Sequence, residues 1–170
     1  MLHLSRLCRV CVSALVLSLV ASGALAQQPA RWTKAAPFPI ADEELYGVTA
    51  GGKMYVVGGY GGGKGRGLVY EYDPAGDRWT VKKPMPRPAH HAALAEYRGK
   101  VLIFGGFVAP TNGAGWEPID NVWEFDPVAD SWKALAPLPA KRGSAVAAEV
   151  GGKIYVIGGA TVVAGSKDVA

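Results

Sequence analysis

Lys53-Met54-Tyr55-Val56-Val57-Gly58-Gly59 decides how this chain is read, because the pattern returns twice. It reappears as Lys100-Val101-Leu102-Ile103-Phe104-Gly105-Gly106 and as Lys153-Ile154-Tyr155-Val156-Ile157-Gly158-Gly159, at steps of 47 and 53 residues. A second landmark, Trp-x4-Pro-x-Pro, starts at Trp32, Trp79 and Trp132 and advances by the same 47 and 53. Two landmarks moving together by unequal steps identify a true internal repeat. A third landmark locates the inequality: Tyr70-Glu71-Tyr72-Asp73-Pro74 and Trp123-Glu124-Phe125-Asp126-Pro127 each place their Asp six residues before the next Trp. The six additional residues of the second unit therefore lie in the longer loop from Val108 to Asn121, where the first unit has the Gly-rich stretch Gly61 to Gly67.

Each unit reads as four strands. Tyr46 to Ala50, Ala92 to Tyr97 and Ala145 to Val150 are mostly small and apolar, as strands near an axis should be. A β-branched and aromatic run follows, entered through Gly-Lys and left through Gly-Gly, both turn signals. The third strand alternates aromatic and polar residues up to Asp-Pro, and a turn then leads to the fourth at Trp79 or Trp132. No sustained helical period occurs after the first 26 residues. Four antiparallel strands per unit of about 40 to 50 residues, with Gly and aromatic landmarks, describe a propeller blade. Gly pairs are expected to turn the backbone at positive φ and to admit a neighbouring side chain. The Trp is expected to fill space between blades.

The residues carrying these landmarks, Tyr55-Val56-Val57-Gly58-Gly59, Tyr72-Asp73-Pro74 and Trp79, closely resemble the Kelch repeat. Gly58, Gly59, Tyr72, Trp79, Gly105, Gly106, Trp132, Gly158 and Gly159 match it as markers of fold, which carry little information about chemistry. The resemblance spans about residues 32–160 and implies an all-β Kelch-type β-propeller. In such rings a terminal strand often completes the last blade, so it implies that residues 31–38 are part of an N-terminal closing strand. The expected organisation is a leader over 1–26, closing strand and linker over 27–43, one blade over 44–90 and a second over 91–143. The first half of a third blade, cut short, follows over 144–170. A ring takes roughly four to eight blades. About two and a half are expected here, so the sequence reads as part of a longer propeller.

The first 26 residues have the pattern of a secretory signal peptide. Arg6 and Arg9 are their only strong cations, Val10 to Ala21 is mostly apolar, and Ala24-Leu25-Ala26 is a cleavage site, placing cleavage after Ala26. The apolar run is short of the about 20 residues a bilayer span needs. The protein is therefore expected to be periplasmic or secreted, with no membrane association once cleaved. Cys8 and Cys11 both fall in this segment, so the processed chain has neither a disulfide nor a thiolate ligand. Its loss removes Arg6 and Arg9 and no acids, lowering the net charge from +4 to +2. With the remaining basic residues scattered, nucleic-acid binding is not expected.

Aligned at the first strand, the units put Ile40-Ala41-Asp42-Glu43-Glu44 against Arg87-Pro88-Ala89-His90-His91 and Ala140-Lys141-Arg142-Gly143-Ser144. Asp42, Glu43, Glu44, His90, His91 and Arg142 are thereby gathered toward the channel mouth, where loop-built faces bind ligands. Glu43, Glu44, His90, His91 and Arg142 are the candidates for acid and base work on a sugar. The alternative is that they are solvated turn residues or salt bridges between blades. A metal pair at His90 and His91 is not expected, since neighbours in a strand face opposite ways. In the long loop Asn112 and Trp116 are ligand-binding candidates. Trp116 either stacks on a sugar ring or pins the loop down. Lys64 and Arg66 show no partner and read as solvated. No cofactor is expected.

The resemblance brings three functions. One is a propeller that binds a glycan or protein ligand, which ranks first because no catalytic set is specific. Another is a sugar-active enzyme, since exported bacterial Kelch proteins include sialic acid mutarotases. A copper-dependent galactose oxidase is unsupported, because its copper site needs a Cys-linked Tyr.

Overall fold

The structure is a computed structural model that describes residues 31–110 and 115–161. The leader at 1–26 and Asn112 lie outside the described residues. The segment 31–34 separates from the unit formed by Ala35–Ala170. Twelve strands and no helix are found among the described residues. The first unit is a four-stranded antiparallel sheet in the order β1 (Glu43–Ala50), β2 (Lys53–Gly61), β3 (Lys64–Asp73) and β4 (Arg78–Val81). The second repeats it with β5 (Ala93–Tyr97), β6 (Lys100–Phe104), β9 (Val122–Asp126) and β10 (Ser131–Ala134). Between β6 and β9 the longer loop holds its own small hairpin, β7 (Phe107–Val108) with β8 (Glu117–Pro118). The third unit consists of β11 (Gly143–Val150) paired with β12 (Lys153–Ala160). These are two complete propeller blades and half of another.

Tight two-residue turns keep the β1–β2, β2–β3, β5–β6 and β11–β12 hairpins in register. Gly51-Gly52, Gly62-Gly63, Arg98-Gly99 and Gly151-Gly152 all have positive φ at both positions. That is the turn whose twist matches two paired strands. Gly62-Gly63 lets β3 begin at Lys64, so residues 64–67 of the expected Gly-rich loop are strand instead.

The core lies between units. Tyr55, Val57 and Val69 of the first blade meet Val101, Ile103 and Phe125 of the second. The opposite face of the second blade, with Leu102, Phe104 and Val122, packs on Ala145, Ala147, Ile154 and Val156 of the third unit. Because β6 has a neighbour on both faces, Val101 to Phe104 are buried without alternation, as a strand covered on both sides must be.

A joint repeated in both blades fixes their spacing. The Trp79 indole N–H donates to the Ala36 carbonyl at 3.0 Å, and the Ala36 N–H donates to Asp77 Oδ1 at 2.7 Å. One repeat later, Trp132 donates to the Lys83 carbonyl at 3.0 Å and the Lys83 N–H to Asp130 at 2.9 Å. Trp32, the third Trp of the pattern, is fully exposed, and no strand occurs in 31–42. The expected closing strand is thus not formed here. A fourth strand needs the free edge of a third, and among the described residues β3 and β9 are taken by β4 and β10.

Candidate functional site

Strand direction brings the variable residues to one end. β1 leaves the Glu43 end, β2 returns to it and β3 leaves again, so the β2–β3 loops and the crossings from β4 to the next first strand share that end. Glu44 stands at the start of β1, while His90 and His91 lie in the crossing before β5. His90 is fixed by its backbone: its N–H donates to Phe107 O at 3.1 Å, and its carbonyl accepts from Phe107 N at 2.8 Å.

At the same point of each repeat, Glu44 (φ 56), His91 (φ 52) and Ser144 (φ 54) adopt the left-handed conformation without being glycine. Such backbone costs about 1–2 kcal/mol per residue. It also breaks the alternation of side chains. The expectation that His90 and His91 face opposite ways therefore fails: their Nδ1 atoms are 2.8 Å apart. Glu44 Oε2 joins them, 2.6 Å from His90 Nδ1 and 3.2 Å from His91 Nδ1.

An aromatic wall closes around the pair. Trp116 packs on both imidazoles, with ring centres 4.8 Å from His90 and 5.0 Å from His91, and Tyr60 lies 4.6 Å from His90. The Trp116 indole N–H reaches the Tyr60 hydroxyl at 3.4 Å. Trp116 thereby lies over both histidines. His90 is wholly buried. Burial, followed by the charge of His91, pushes its pKa down to about 4, so it is uncharged at neutral pH. Glu44 and His91 keep about a fifth of their side-chain surface exposed.

The other candidates go elsewhere. Asp42 has no exposed side-chain surface, pairs with Arg66 at 2.9 Å and accepts from the backbone N–H of Glu43 and Tyr60. Those contacts fasten the start of β1 to β2 and β3. Arg66, expected to be solvated, is the partner of Asp42; nothing in spacing alone links the two. Arg142 donates to the Gly158 carbonyl at 2.6 Å, and Glu43 is exposed at the edge of β1. Beside the cluster, Lys64, Arg66, Arg87, Pro88 and Val108 line a cleft of about 520 Å³. Its basic residues include Arg87, which was not singled out by the repeat alignment.

Stacked four-stranded units with varied polar loops at one end define a β-propeller repeat protein. The Kelch motif matches residues 47–86 and 88–139, and the chain belongs to the Kelch-repeat family. It is 33% identical to beta-scruin of Limulus polyphemus over 133 residues, which is 76% of this chain and 14% of that protein. Kelch-like protein 35 of Mus musculus is 32% identical over 64% of this chain and 18% of its own length. Kelch repeat and BTB domain-containing protein 13 of Homo sapiens is 33% identical over 74% and 27%. The chain therefore spans less than a third of each of these relatives. Among solved structures, that of YjhT superposes with a TM-score of 0.61 at 26% identity, over 72% of this chain and 36% of that one.

Proposed function

We propose that this protein is an exported Kelch propeller module that binds an acidic glycan at the end where the crossings and β2–β3 loops gather. The observation carrying this reading is the basic cleft beside Glu44, His90 and His91. Lys64, Arg66 and Arg87 line it, and among the described residues the one acid paired with them is the buried Asp42. An open cleft of this size suits one or two sugar rings, and fixed cations give an anionic ligand its orientation. Export after Ala26 would present that face to extracellular or periplasmic glycans.

A second reading, a sugar-active enzyme such as a sialic acid mutarotase, draws on Glu44 and His91, a carboxylate and an imidazole 3.2 Å apart and both partly exposed. Binding is preferred because His90, the most perturbed base, has no surface with which to reach a substrate. A glycan array probed with the full chain tests the proposal. Carboxylated glycans are expected to be retained over neutral ones, and Arg87→Ala is expected to weaken that retention about tenfold or more, as loss of a charged hydrogen-bond donor does. Equal retention of neutral glycans would overturn it, and acceleration of sialic acid anomer exchange, followed by NMR, would favour the enzyme.

A further inference from the structure

Three potential ligand atoms meet at Glu44, His90 and His91, and the hydrogen bond between the two Nδ1 atoms, at 2.8 Å, leaves the carboxylate oxygen out. Glu44 Oε2 is 2.6 Å from one imidazole nitrogen and 3.2 Å from the other. Yet it accepts a hydrogen bond from neither, nor from any other group among the described residues. His90 Nε2, also buried, has no partner among them either. A buried carboxylate oxygen this close to two ring nitrogens, with no N–H aimed at it, calls for something that all three can share. One ion at the about 2.0–2.2 Å typical of zinc–nitrogen and zinc–oxygen bonds can touch all three atoms at once.

We propose that Glu44 Oε2, His90 Nδ1 and His91 Nδ1 bind one divalent transition-metal ion of the zinc class. Two imidazoles and one carboxylate are the donors such ions prefer, whereas calcium and magnesium favour oxygen alone. Three protein ligands leave a coordination position open. Both partly exposed ligands, Glu44 and His91, occupy the same left-handed position of successive repeats, and in the third unit that position is Ser144. It is the left-handed turn at His91 that carries its ring to the same side as His90. Phe107, Tyr60 and Trp116 enclose the imidazoles in apolar surface, which strengthens ligand–metal attraction. With Glu44 from the first unit and both histidines from the crossing into the second, the ion would join two neighbouring blades at the mouth of the axis. This site stands apart from the glycan reading, which rests on the basic cleft.

The tag-free full chain, stripped with chelator, gel-filtered after exposure to zinc and analysed by elemental mass spectrometry, is expected to retain one equivalent. Saturating zinc is expected to raise its Tm by about 5 °C or more. Cobalt in place of zinc is expected to give visible d–d bands. Glu44→Gln and His91→Asn, both at partly exposed positions and the second suited to the left-handed backbone, are expected to lose the retained zinc, the bands and the Tm rise. Their metal-free Tm is expected to stay close to that of the parent. Absence of retained zinc in the folded parent would overturn the proposal. So would variants that retain as much as the parent, since the ion would then sit elsewhere.

Discussion

Strands β6 and β12 carry the same motif one repeat apart, and solvent meets them quite differently. Leu102 and Phe104 of β6 are 6% and 7% exposed, while their counterparts Tyr155 and Ile157 of β12 are 47% and 65% exposed. In β2, Tyr55 and Val57 at the same positions are buried again. Burial here is not a property of the strand but of having a unit against its outer face. That is the nearest-neighbour logic of repeat proteins, in which each unit stabilises mainly the next. Truncating the two residues puts the contrast to its largest test. Phe104→Ala is expected to cost about 3–5 kcal/mol. Ile157→Ala, with little apolar surface lost from contact, is expected to cost under about 1 kcal/mol. Urea unfolding of the full chain measures both. Equal losses would mean that the outer face of β12 is covered in solution.

The Gly pairs make the same comparison through the backbone. Gly105 (φ 59) and Gly158 (φ 68) hold equivalent positions and similar torsions. A Cβ on Gly105 would stand 2.1 Å from the Arg142 carbonyl oxygen, but one on Gly158 would meet nothing within 4 Å. Gly105→Ala therefore combines left-handed strain with a clash against backbone, expected to cost about 2–4 kcal/mol. Gly158→Ala keeps only the strain, about 1–2 kcal/mol. The difference between their urea midpoints isolates the contribution of the neighbouring unit. If the two were equal, the close approach of Arg142 would have no energetic weight.

Much of this architecture was legible in the sequence because it repeats. Trp79 and Trp132 precede Gly105 and Gly158 by the same 26 residues, and the structure turns that register into two blades with matching joints. The neighbour that makes a Gly necessary could not be read in the same way. Backbone carbonyls, Arg142 O at Gly105 and His90 O at Gly106, come closest, where a side chain was expected. The site was legible in part. Alignment at the first strand brought Glu44, His90 and His91 together, since equivalent positions in successive blades are neighbours in space. Three departures had physical causes that no pattern reveals. His91 leaves the extended conformation, so the alternation rule gave its ring the wrong side. Asp42 turns inward to Arg66, a pairing that depends on where β3 starts. The β7–β8 hairpin folds Trp116 over the histidines, and its two-residue strands are too short to carry a periodic signal.

The smallest expected difference again lies between the first two blades, now at equivalent acids on the third strands. Glu71 is buried, takes a hydrogen bond from the Tyr55 hydroxyl at 2.9 Å and an ion pair from Lys53 at 2.5 Å, with Lys82 at 3.7 Å. In the second blade Tyr55 becomes Leu102, Lys82 becomes Leu135, and Lys100 turns to Asp126, leaving Glu124 without those partners. Burial alone would raise the Glu71 pKa, but the Lys53 and Tyr55 hydrogen bonds and the two lysine charges outweigh it and hold the carboxyl below its ordinary value. The unfolded chain then binds more protons at this site than the folded one, so stability rises with pH across that interval. Glu71 accordingly contributes stability that is fully present above the unfolded carboxyl value of about 4.3 and is lost as pH falls through the lower folded value. Glu71→Gln is expected to flatten the fall in stability between about pH 5 and pH 3, followed as urea midpoints at successive pH values. Glu124→Gln is expected to leave that slope as it is in the parent. Should both variants flatten it alike, the acid sensitivity would belong to the repeat, and the Tyr55 and Lys82 partners of the first blade would not be its cause.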